Sequence, residues 1–170
     1  MTSFTTALIA ELGKKTSVSW LGYAGAVHAA WHIWLDDALY VLSGNDEQPL
    51  PGIESVSRVE VTMRSKESGG RLLTWVGDAS VIRPDDELWA PVTKALVSAR
   101  LNLDDLGTAT ARWAEHSVVT RIVPTGEFLE EPGSLSSDAH RAVPATTPAT
   151  TRGALPKVFH RRVKRRPKLS

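Results

Sequence analysis

Apolar residues recur with two different periods over the first 130 positions and lose both afterwards. Phe4, Leu8 and Leu12 follow helical spacing, which predicts a short helix ended by Gly13. Lys14 to Leu21 alternates, with Thr16, Val18 and Trp20 on one side of a strand, and Gly22-Tyr23-Ala24-Gly25 reads as a turn. Val27, Ala29, Trp31, Ile33 and Leu35 then share one strand face, and His28, Ala30, His32 and Trp34 the other. A short apolar run, Leu39 to Leu42, precedes the loop NDEQPLPG, whose Pro49 and Pro51 cannot sit inside a helix or sheet. Val59 to Met63 alternates as a strand. Ser68-Gly69-Gly70 makes a turn, and Arg71 to Ile82 is a long strand in which Gly77 marks a bend or a close backbone approach.

Helical spacing returns at Leu88, Val92, Leu96 and Ala99, behind the acidic start Asp85-Asp86-Glu87. Thr108 is a cap for a second short helix holding Trp113. Val118 to Val123 reads as a last strand, closed by Pro124. About six strands with helices inserted before the last predict a mainly β, α+β fold: an antiparallel barrel, which hides its sheet edges by closure.

Residues 24–43 carry two readings. As a helix they place His28 and His32 on one face, where the pair can share a metal ion. As a hairpin they separate those histidines by about 13 Å, at about 3.3 Å per residue. Asp36-Asp37 between two apolar runs is a turn signal, and Tyr40 and Val41 favour strands. The hairpin is therefore expected, and no metal site with it.

Charge divides the chain. Residues 1–150 carry 12 Lys and Arg against 19 Asp and Glu, a net −7, whereas residues 151–170 carry 8 basic residues and no acid, a net +8. The Pro-, Ala- and Thr-rich stretch from residue 131 buries too little apolar surface to offset its chain entropy. The expected division is a barrel domain over residues 1–130 and a disordered linker with a basic end over 131–170. The basic segment 152–168 suits nucleic acid or another anionic partner. Cysteine is absent, and neither a membrane-spanning run nor a signal-peptide pattern is seen, which fits a cytoplasmic protein. No nucleophile elbow or Gly-rich phosphate loop occurs, so any redox chemistry would come from a cofactor.

The succession SVSWLGYAGAVHAAWHIWLDDALYVLSG, then SRVEVTMRSK, then GGRLLTWVGDASVIRPDDELW resembles the split β-barrel flavin-binding superfamily of pyridoxamine 5′-phosphate oxidase-like and deazaflavin-dependent proteins. The resemblance spans about residues 5–126. It implies a six-stranded split barrel, a homodimer, and FMN or a deazaflavin in the cleft between protomers, with hydride transfer to or from the ring and the substrate unknown. By that match Trp31, His32 and Ile33 border the ring, and Ser43 and Gly44 stand near the phosphate. Arg64 and Lys66, at the end of the fourth strand, are the candidate anion binders. One departure stands out: no Lys or Arg occurs between Lys15 and Arg58, and the loop after Ser43-Gly44 carries Asp46, Glu47 and Glu54, which repel a phosphate. That motivates the alternative of a non-catalytic split-barrel binding module, tethered to an anionic partner by its tail.

Overall fold

The alternation read from Val18 onward becomes six strands, the first three joined by tight turns at Ala24-Gly25 and Asp36-Asp37. The chain runs α1 (Ser3–Lys15), β1 (Val18–Tyr23), β2 (Ala26–Leu35), β3 (Ala38–Ser43), a 3-10 turn (Ile53–Ser55), β4 (Arg58–Arg64), β5 (Arg71–Ile82), α2 (Trp89–Ala99), α3 (Ala109–His116) and β6 (Val118–Glu130). This computed structural model describes residues 3–44, 46–66, 69–100 and 107–135; the basic tail and most of the Pro-rich stretch lie outside them, as does Ser68 of the third turn. The strands pair antiparallel in the order β1-β2-β3-β6-β5-β4 and close into a barrel. None of the described helices is long and apolar enough to cross a membrane.

The acidic pair does form the hairpin turn. Asp36 and Asp37 take φ of 46° and 56°, and Leu35 pairs with Ala38 across them. Three boundaries differ from the sequence expectation. Gly13 does not end α1, which continues to Lys15 and is closed by Thr16, whose N–H and hydroxyl both donate to the Leu12 carbonyl at 2.9 and 2.7 Å. Lys14 and Lys15 thus complement the helix C-terminus instead of opening a strand. The first turn is only Ala24-Gly25, with φ of 48° and 76°, so Gly22 and Tyr23 belong to β1. Pro124 does not end β6. It sits opposite Gly77, where the β5–β6 register breaks, so its missing N–H falls at an irregularity and the strand runs on to Glu130.

Two cores share the barrel wall. Inside lie Leu21, Leu39, Val61, Met63, Leu73, Trp75 and Ile122, plugged by Ile9 and Leu12 of α1 and by Leu50 and Ile53 of the loop after β3. Outside, α2 and α3 press Trp89, Val92, Leu96 and Trp113 onto Ile33, Tyr40, Leu42 and Val119. All six β3 residues are therefore buried, facing one core or the other. Gly13 permits the α1 contact: a Cβ there would stand 2.4 Å from the Trp34 ring.

His32 points inward and is 2% exposed, with no partner at hydrogen-bonding geometry for either ring nitrogen. Burial pushes its pKa down from 6.5 to about 4, opposed in part by the nearby backbone of Gly13 and Ala30. Between those two values the unfolded chain takes up a proton that the folded barrel refuses, so stability is lost as pH falls. Urea unfolding should lose on the order of 2 kcal/mol between pH 7 and 4.5 from this residue. The His32→Leu variant should show a correspondingly flatter dependence; equal slopes in both proteins would remove His32 as the cause.

Candidate functional site

Strand alternation sends Ser19, Leu21 and Tyr23 inward and Val18, Trp20 and Gly22 outward. Helices α2 and α3 cover the outer face of β3 and of its neighbours, whereas among the described residues no helix packs on the outer face of β1, the first half of β2, and β4. There Trp20 stands opposite Ala29 of β2 and Thr62 of β4, and Val18 stands opposite Trp31. Ala29 adds little bulk beside Trp20, whereas the Glu60 side chain lies across Gly22, where a Cβ would stand 3.3 Å from Glu60 Cβ and Oε2. The result is a shelf of apolar and small residues, with Val18 40% and Val27 68% exposed. From β2 to β4 it is about 10 Å wide, two strand spacings.

One end of the shelf is cationic. The Arg64 guanidinium lies 4.3 Å above the Trp20 ring. Trp20, Thr62, Arg64, Gly69 and Arg71 line a cavity of about 330 Å³. Lys66 is exposed just beyond β4. The other end is Trp31, half-buried against the helix-covered core, with the Arg100 guanidinium 5.7 Å from its ring.

The loop after β3 is clamped to Trp31 through side chains. Pairing of β2 with β3 reaches only His32–Val41. Beyond it the Gln48 carboxamide takes over: the Trp31 N–H donates to Gln48 Oε1 at 2.6 Å, and Gln48 Nε2 donates to the Trp31 carbonyl at 2.8 Å. Glu47 anchors the same loop. Its side chain is 5% exposed, ion-paired with Arg100, and accepts a hydrogen bond from Trp113 Nε1 at 3.0 Å. The acidic loop therefore repels less than its sequence suggests, because Glu47 turns inward and is neutralised. Asp46 and Glu54 remain exposed.

The residues singled out from sequence fall in five places. Trp31 borders the shelf. His32 is on the opposite, inner face, and Ile33 lies outward but beneath the helices. Ser43 and Gly44 border a separate cavity of about 320 Å³ with Leu50, Glu54 and Val118, and none of its described lining residues is a cation. Gly44 uses its own backbone inside the loop, donating to the Gln48 carbonyl at 3.3 Å and accepting from Glu47 N–H at 2.8 Å. Arg64 and Lys66 are at the cationic end, away from Ser43. Sequence reasoning missed Trp20, Gln48 and Arg100. Their roles arise from non-local pairing, and no local pattern marks them.

Among the described residues no group of acids and histidines is placed to hold a metal ion. Another cavity, of about 440 Å³, opens at the β1–β2 turn beside Val27, Arg58, Glu60 and Glu127. Its cation is already taken: Arg58 pairs with Glu127 at 2.8 Å and approaches Asp78 at 3.9 Å.

No protein-family model matches the chain, and no curated protein matches it by sequence. Solved structures do match. The heme storage protein HutZ from Vibrio cholerae is 18% identical, over 69% of this chain and 88% of that one, with a TM-score of 0.51. A candidate pyridoxamine 5′-phosphate oxidase from Listeria innocua is 20% identical, over 74% of this chain and 98% of that one, with a TM-score of 0.50. At these identities the likeness is one of fold. The chain has the split β-barrel of the pyridoxamine 5′-phosphate oxidase-like proteins.

Proposed function

We propose that this protein binds a flavin or deazaflavin on the helix-free outer face and serves hydride transfer there. The observation that carries the reading is the shelf: Val18, Trp20 and Ala29 form a flat apolar surface, ended by a cation on one side and by Trp31 on the other. A tricyclic ring is about as long as the shelf is wide, and stacking on an aromatic side chain favours it. When bound, the cofactor supplies the redox chemistry. The chain's own residues supply placement: Val18 and Ala29 leave room, Trp20 with Arg64 over its ring bounds one side, and the Gln48 clamp fixes Trp31 on the other. His32 takes no part in this reading, because it faces the barrel interior.

A second copy of the chain is the expected cover for the shelf. Val18, Val27 and Leu129 are exposed on this face, and removing such area from water favours association. Sedimentation of the full chain at micromolar concentration should give a dimer, and a monomer throughout would withdraw this element.

Heme, the ligand of HutZ, fits less well. Neither described histidine of the barrel reaches the shelf: His28 stacks on Tyr23 at 4.8 Å and His32 is buried. The second reading is a non-catalytic binding module, with a barrel over residues 1–130 and residues 152–168 tethering it to an anionic partner. It is supported by the Ser43–Gly44 cavity, which has no cation to hold a phosphate.

The deciding experiment titrates the purified full chain with FMN, a deazaflavin and heme, reading tryptophan emission and the visible spectrum. Quenching with a spectral shift is expected for one of the first two. Silence with both would leave the binding-module reading, and a shift with heme alone would replace the cofactor.

A further inference from the structure

We infer that the pocket between Trp20 and Arg64 is an oxyanion site that receives a phosphate group, in place of the Ser43–Gly44 end of β3. This deepens the flavin reading and rests on it only where the phosphate belongs to FMN; the pocket's affinity for free phosphate stands by itself.

Charges and donors within this one cavity are unequally satisfied. The hydroxyls of Thr62 and Thr74 are 2.9 Å apart, and Thr74 donates onward to Glu130 Oε2 at 3.1 Å. Thr74 has one proton to give, so Thr62 donates to Thr74 and the chain of hydrogen bonds ends on the Glu130 carboxylate. Arg71 Nε lies 3.1 Å from that same carboxylate. Glu130 is therefore neutralised from within the pocket. Arg64, by contrast, has no ion pair among the described residues. Among them it meets the Trp20 ring, 4.3 Å below the guanidinium carbon. A guanidinium lying over a ring uses its face for that contact and keeps its in-plane N–H donors free. Those donors suit the oxygens of a phosphate.

The mouth of the pocket is open. Gly69, with φ of 67°, forms its wall without a side chain, and a Cβ there would meet nothing within 4 Å. The competing cavity at Ser43–Gly44 has the opposite character, with Glu54 on its wall and the Gly44 N–H already donated. Arg100, at the other end of the shelf, is held by Glu47. Of the two arginines that line the pocket, Arg71 is paired with Glu130 and Arg64 has no ion pair among the described residues, so Arg64, with the exposed Lys66 just beyond it, sets which way round a phosphate-bearing ligand lies.

The test compares FMN, riboflavin and inorganic phosphate on the full chain, on Arg64→Gln and on Ser43→Ala. Wild type should prefer FMN over riboflavin about tenfold, a preference eroded by salt. Arg64→Gln should remove the preference by weakening FMN alone. Ser43→Ala should keep it. Phosphate by itself should shift tryptophan emission in wild type and not in Trp20→Phe. A preference that survives Arg64→Gln, or one lost in Ser43→Ala instead, overturns the assignment. Equal binding of FMN and riboflavin by wild type leaves the flavin reading standing and rejects the pocket. Phosphate binding lost in Arg64→Gln, with neither flavin bound, rejects the flavin reading and keeps the pocket. Because Arg64 is an exposed strand-end residue, matching thermal midpoints of Arg64→Gln and wild type will confirm that its fold is intact.

Discussion

Replacing Gly77 by alanine should cost about 3 kcal/mol and lower the thermal midpoint by roughly 10 °C. Gly77 faces the barrel interior from the middle of β5. A Cβ there would stand 2.4 Å from Ile122 Cγ2 and 2.8 Å from the edge of the Trp75 ring, with the Val123 carbonyl at 3.3 Å. None of these neighbours has room to withdraw. Trp75 and Ile122 are fully buried, and Ile122 is β-branched, so its methyl is fixed by the strand backbone. The strain is steric and specific to that methyl. Adding Ile122→Leu, which removes the branch at Cβ, should recover part of the loss, so the two changes will be non-additive. Differential scanning calorimetry reads both. A Gly77→Ala midpoint within about 2 °C of wild type would mean that the barrel yields where close packing says it does not.

Glu47→Ala should cost about 2–3 kcal/mol, most of it from one stranded donor. Trp113 is 1% exposed, and without Glu47 its indole N–H has no acceptor. Arg100 loses its partner too, but it is about a quarter exposed and regains water. Glu47→Gln keeps an acceptor for Trp113 while removing the ion pair, and should cost about 1 kcal/mol. Urea unfolding of the two variants separates the hydrogen bond from the charge. Equal losses would assign the whole effect to the ion pair with Arg100.

These two positions also show what could be read before the structure. Gly77 was legible as a bend or a close backbone approach, because glycine inside a strand has few other reasons to be there. The barrel was legible from alternation, and the Asp36-Asp37 hairpin from two acids between apolar runs. Glu47 was read only as one of three loop acids that repel a phosphate, because its partners, Arg100 at the end of α2 and Trp113 on α3, lie far along the chain and no local pattern announces the pairing. Pro124 was misread for the complementary reason. Proline does break a regular ladder, and only the β5–β6 register shows that the ladder is already irregular there. Of the candidate site, Trp31 and Arg64 were named, but their relation was invisible. It depends on β1 lying between β2 and β4, a fact of topology. The neighbours Trp31, His32 and Ile33 were grouped by a resemblance, although strand alternation alone separates His32 from the other two.

The Gln48 clamp has a consequence for how this chain can vary. Its carboxamide meets one peptide unit edge to edge, as a neighbouring strand would, so the seam between β2 and β3 is finished by a single side chain. A strand can slide by two residues and find new partners, but one amide cannot. The distance from Gly44 to Gln48 is thereby fixed from both ends. Surface loops ordinarily tolerate insertions at small cost. This one should behave like a ruler, and a residue added or removed within it would open the barrel along that seam.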